Sequence, residues 1–109
     1  MGGRAAPHGA HQAASATACR FHHIAVDDQR LPTLVYAADT SAHVVRVKQL
    51  AQGTWRIFAG QTNNPGFFNG PGQLAQFHNP TALCIMPHGS LAVADAENAC
   101  IRAVSPAGV

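Results

Sequence analysis

The chain has 109 residues, enough by length for one small domain. It is 47% apolar but only 11% charged, less than half the roughly 25% of an ordinary soluble domain, which argues against a freestanding, well-solvated protein. Its net charge is +2, set by Arg4 and Arg20, because from Asp27 onward five basic residues (Arg30, Arg46, Lys48, Arg56, Arg102) meet five acids (Asp27, Asp28, Asp39, Asp95, Glu97); this balance disfavours a strong basic footprint for nucleic acid.

Residues 1–18, "MGGRAAPHGAHQAASATA", carry no large apolar side chain after Met1. They cannot bury enough surface to offset ordering entropy, and a disordered Ala/Gly/Ser-rich lead-in is expected. Arginine and serine without acids suit an organelle transit peptide, but Gly2, Gly3, Pro7 and Gly9 disfavour its amphipathic helix. No apolar segment of a secretory signal is present, and Ala6 stands where myristoylation wants Ser or Thr. No window approaches the ~18 uninterrupted apolar residues of a membrane span.

Four strands are predicted next: "IAVD" (24–27), "LVYAAD" (34–39), "VVRVKQL" (44–50) and "TWRIFA" (54–59). Pro32, the "DTSA" segment and Gly53 punctuate them. The last two alternate in part, with charged side chains on one face, as an outer strand with one wet side does. Three more follow: "TALCIM" (81–86), "SLAVAD" (90–95) and "CIRAVS" (100–105), after which the chain reaches Val109. The expected architecture is all-β, one complete four-stranded antiparallel sheet plus three strands of a second.

The two sets are copies. "VYAADTSAHVVR" (35–46) aligns without a gap on "LAVADAENACIR" (91–102), at an offset of 56 residues. Asp39 falls on Asp95, Arg46 on Arg102, and Phe21-His22 on Phe77-His78. Such a period exceeds common helical repeats and suits a unit of four short strands with a long connection.

With these residues in view, the chain resembles the NHL-repeat β-propeller family. The resemblance is carried by Phe58–Val109: Ala59-Gly60, the loop Gly66…Gly70-Pro71-Gly72, then Ala75, Phe77, Pro80, Gly89, Ala94-Asp95, Asn98 and Ile101-Arg102. It covers nearly all of 21–109, more closely in the second copy. Asn69-Gly70 replaces the family's usual Asp-Gly, and the first copy has Ala42 in place of the turn Asn and a longer "DDQRLPTL" loop. The resemblance implies an incomplete NHL-type propeller over 19–109: blade one about 21–60, a linking loop over 61–76, and blade two over 77–109. Asp39, Arg46, Gly60, Gly70, Phe77, Pro80, Asp95, Asn98 and Arg102 are then structural repeat positions. The carboxylates are expected to accept backbone N–H bonds from their turns. Asn98 is expected in the left-handed region, and Gly66, Gly70 and Gly72 at sharp backbone turns. Arg46 and Arg102 are expected to pair with an acid.

Catalytic chemistry finds little support. His22 and His23 are adjacent, so in a strand they point to opposite faces and do not share an ion. Cys19, Cys84 and Cys100 are odd in number and lack C-x-x-C spacing, so neither a disulfide framework nor a zinc knuckle is expected, and a reducing, intracellular compartment is favoured. Cys84 and Cys100 fall on strands separated by another, about 9.5 Å apart, beyond disulfide reach, and Cys84 reads as a small core residue. The glycines of the linking loop match no phosphate-binding motif. Phe67, Phe68 and Trp55 read as packing residues rather than a base-stacking platform. No catalytic residue, metal site or cofactor is expected.

Two blades cannot close a propeller, so further blades or self-association are expected to complete it. The expected function is a non-catalytic scaffold for a protein partner or small ligand, with Arg30, Asn69 and Glu97 on its possible binding loops. Two alternatives stand beside it: an RNA-binding NHL module, disfavoured by a single lysine, and a fragment of a metal-dependent propeller lyase or lactonase.

Overall fold

A computed structural model describes residues 10–12, 22–29, 31–87 and 89–105. The strands are β1 (Ala10–Gln12), β2 (Ile24–Asp27), β3 (Leu34–Asp39), β4 (Val44–Gln49), β5 (Arg56–Gly60), β6 (Pro80–Ile85), β7 (Leu91–Asp95) and β8 (Cys100–Val104). They form two antiparallel sheets in the orders β2-β3-β4-β5 and β1-β8-β7-β6. Three single-turn 3-10 segments, Thr40–Ala42, Gly72–Leu74 and Ala96–Asn98, are the helical elements among the described residues, and no helix there is long and apolar enough to cross a membrane.

All seven predicted strands form, with ends displaced by at most two residues. The first sheet has its expected four strands and the second its expected three, β6 to β8. In addition, β1 lies along β8, pairing Ala10 with Val104 and Gln12 with Arg102. This strand falls inside the stretch expected as a disordered lead-in; the remainder of 1–18 lies outside the described residues.

The sequence repeat is a structural one. Asp39 ends β3 at φ −97°, ψ 86°, and Asp95 ends β7 at φ −94°, ψ 83°. Each is followed by a 3-10 turn and then by one left-handed residue, His43 at φ 64° or Ala99 at φ 54°. The left-handed position is therefore Ala99, not Asn98 as expected. The turn sets this, because the residue after the last 3-10 position must reverse the chain into the next strand, and Asn98 serves through its side chain instead. Of the three glycines expected at sharp turns, only Gly72 is left-handed, at φ 38°. Gly66 and Gly70 are small for another reason: a Cβ on them would lie 2.7 Å from the Gln76 amide and 2.6 Å from the Phe68 ring respectively.

Strand alternation sorts side chains onto two faces per sheet. In the first sheet Ala25, Tyr36 and Val47 lie opposite one another across β2, β3 and β4, and Tyr36, Ala38, Val45 and Val47 enter the core. In the second, Leu83 opposes Val93 and Leu91 opposes Val104, and all four join the same core, capped by Ala75 and Phe77. Unlike faces therefore meet. The repeat equivalents of Tyr36 and Val47 are Ala92 and Ala103, on the far face of the second sheet. The equivalents of Leu91, Val93 and Val104 are Val35, Ala37 and Lys48, on the far face of the first. That far face consists of the rows Ile24–Ala37–Arg46 and Val26–Val35–Lys48.

Polar contacts lock this stacking. His22 exchanges two backbone hydrogen bonds with Leu83, at 2.8 and 2.6 Å, setting β2 beside β6. The Thr40 hydroxyl donates to the Pro80 carbonyl at 2.7 Å. The Asn79 N–H donates to Nδ1 of His43 at 3.0 Å, while the His43 and His78 rings meet edge to face.

Candidate functional site

The two Asp–Arg pairs are the same device in two environments. In the second unit, Arg102 and Asp95 have fully buried side chains, with Nη1 2.6 Å from Oδ2. A buried ion pair is tolerable only if its other hydrogen-bonding groups are satisfied, and here all five guanidinium N–H groups have partners. Nη1 also donates to the Gln76 carbonyl at 2.9 Å. Nη2 donates to the Phe68 carbonyl and to Oδ1 of Asn69, at 2.8 and 2.9 Å, and Nε donates to the same Asn69 oxygen at 3.1 Å. The Phe67 and Phe77 rings stand 4.6 and 4.8 Å from the guanidinium carbon, within cation–π range.

Asp95 is equally well held. Its Oδ1 accepts from the His78 N–H at 2.7 Å, and its Oδ2 also accepts from the Asn98 amide at 2.7 Å. The Asn98 amide nitrogen further contacts the Gly66 carbonyl at 2.9 Å. The pair thus pins the whole linking loop to β7 and β8.

In the first unit, Arg46 donates from Nε to Oδ2 of Asp39 at 2.8 Å, and the two side chains remain 32% and 35% exposed. This single bond is the guanidinium's only hydrogen bond among the described residues. With His23, Ala37, Ala38 and Trp55, the pair lines an open cleft of about 450 Å³. Lys48 stands 6.0 Å above the Trp55 ring, and His23 Nδ1 lies 3.4 Å from the Thr81 carbonyl of the neighbouring sheet.

The expected repeat positions Asp39, Arg46, Asp95, Asn98 and Arg102 all sit in these two pairs. Phe77 is fully buried against Arg102. Pro80 opens β6, and Gly60 closes β5 in the left-handed region at φ 103°. The expected loop residues do not converge. Asn69 turns inward onto Arg102, Glu97 is exposed on its 3-10 turn, and Arg30 lies outside the described residues. The sequence reading missed His23 and Trp55 as neighbours of Arg46. The repeat register was the available signal, since it puts Arg46 where Arg102 meets its aromatic clamp.

The cysteines need a correction. Cys84 is disulfide-bonded, with its partner outside the described residues, so it is more than a small core residue. A disulfide depends on which distant segment passes over a strand, and local Cys spacing does not report this. The reducing-compartment expectation loses its basis. Cys100, two strands away in the same sheet, is free. Burial pushes its thiol up, the Arg102 charge opposes that, and the Asp95 charge adds to it. Among the described residues, no three His, Cys, Asp or Glu side chains gather to hold a metal ion. No protein-family model, curated protein or solved structure matches this chain.

Proposed function

We propose that this chain is a pair of NHL-type propeller blades acting as a non-catalytic binding scaffold, and that its uncovered sheet face takes a further sheet from a second copy. One observation carries the reading: the two sheets stack through unlike faces. Such stacking is heterologous, so two units leave a free face at each end until a ring closes. The first sheet is left with a face equivalent to the one its neighbour buries. On it, Ile24 and Val26 are 51% and 49% exposed and Trp55 is 44% exposed, an apolar grouping of the kind that marks an interaction surface.

Light scattering on the full chain tests this. Mass is expected to rise above the monomer as concentration rises through the micromolar range. The double variant Ile24→Glu/Val26→Glu is expected to stay monomeric while keeping its β-type circular dichroism, because both positions are solvent-facing within one chain. A wild-type protein that stays monomeric throughout overturns the proposal.

A further inference from the structure

The polar contacts that join the two sheets differ in how they answer a proton. The backbone exchange of His22 with Leu83 and the Thr40 hydroxyl on the Pro80 carbonyl are indifferent to it. His23 Nδ1 faces the Thr81 carbonyl at 3.4 Å, where it acts only as a donor, so protonation leaves that contact in place. The Asn79 N–H, by contrast, donates to Nδ1 of His43 at 3.0 Å. A backbone N–H can only donate, so this Nδ1 carries no proton and the ring hydrogen sits on Nε2. Neither partner is placed to turn elsewhere. Oδ1 of Asp95 holds the His78 N–H at 2.7 Å, and the His78 and Asn79 carbonyls accept from the N–H groups of Glu97 and Ala96, at 3.1 and 3.3 Å. These bonds fix the peptide that carries the Asn79 N–H, with Asn79 at φ 57°. His43 is fixed at φ 64° by its own N–H on the Thr40 carbonyl.

We infer that His43 is a proton-sensitive latch between the two sheets. A proton on Nδ1 turns the acceptor into a second donor facing the Asn79 N–H, and the contact breaks. The His78 ring lies edge to face, 5.4 Å away between centroids, and repels His43 once both are charged. The surrounding acids are committed elsewhere: Asp39 to Arg46 at 2.8 Å, and Asp95 to Arg102 at 2.6 Å. Glu97 is exposed on the 3-10 turn behind His78, and among the described residues no carboxylate bonds either ring. The accepting form is the unprotonated one, so the folded state disfavours the proton that the unfolded chain takes up. The latch therefore stabilises the junction at neutral and alkaline pH and lets go toward the acid end of the range, about pH 5 to 8, in which imidazoles change charge. The remaining contacts persist, so acid loosens one side of the junction without separating the sheets.

Urea midpoints of the full chain at about pH 8 and about pH 5.5, on either side of the usual imidazole transition, test this. The variant for comparison is His43→Asn. Its Oδ1 stands where histidine has Nδ1 and accepts the same bond, asparagine tolerates the left-handed backbone, and the side chain does not titrate. Every other titrating group is common to both proteins, so the comparison isolates His43. The two are expected to differ little at the higher pH. At the lower pH the folding equilibrium of the wild type should fall about tenfold relative to the variant, the loss of one net hydrogen bond. Equal losses in the two proteins overturn the inference. Should His43→Asn not fold, the Asn79 amide resonance of the wild type decides. It is expected to shift with falling pH in step with the His43 ring resonances, and an amide that stays in place across the same interval overturns the latch.

Discussion

Arg46 and Arg102 each lie seven residues after their aspartate, but their environments assign them different energetic roles. Removing Arg102 leaves a buried carboxylate without its charge partner and frees the Phe68 and Gln76 carbonyls at once. Breaking a buried pair in this way costs about 3–5 kcal/mol, a large part of a small domain's total stability of roughly 5–15 kcal/mol. Arg102→Ala is therefore expected to unfold most of the chain or to lower its urea midpoint severely. Arg46→Gln removes a one-third-exposed pair and should change stability by about 0–1 kcal/mol. Urea titrations of the two variants, followed by circular dichroism, check the contrast. Equal losses would mean that the first pair is as structural as the second.

At the scale of elements, the strands were legible because β-branched and apolar runs end at turn residues, and the repeat fixed their register. The first strand was not: "AHQ" (10–12) has no strand character of its own and acquires it from the free edge of β8. The inward turn of Asn69 was equally hidden, because its reason is a guanidinium 33 residues away. The left-handed positions were only partly legible. A glycine pair tests how such sites act. Gly60 sits at φ 103°, and a Cβ there would meet the His43 carbonyl at 2.7 Å, whereas Gly53, at φ 97°, has open space around it. Gly53→Ala should cost only the conformational strain, about 1–2 kcal/mol. Gly60→Ala adds a backbone clash and should cost visibly more, up to about 3 kcal/mol. Thermal melts of the two variants give the order, and reversal of that order would contradict the geometry at the end of β5.

At the scale of the whole molecule, neither sheet has a core of its own. Tyr36 and Val47 from one and Leu83 and Val93 from the other belong to a single cluster, and the backbone exchange at His22 and Leu83 crosses between them. Two units that bury each other's faces are expected to melt together. Trp55, beside the first sheet, gives a local signal, and far-UV circular dichroism sums both sheets. The two melting curves should coincide. A fluorescence transition well below the dichroism transition would show that the first sheet opens alone and that the shared core contributes less than its burial suggests.

The antiparallel pairing of β1 with β8 bears on the order in which the fold is assembled. These strands lie near opposite ends of the sequence, so their contact closes almost the whole chain into a loop. Closure entropy grows with the length enclosed, and contacts between distant segments slow folding. The hairpins β3–β4 and β7–β8 enclose only short turns and are cheap to form early. Synthesised before the other described strands, β1 would then be among the last of them to find its place, waiting on an edge that does not exist until β8 has been made.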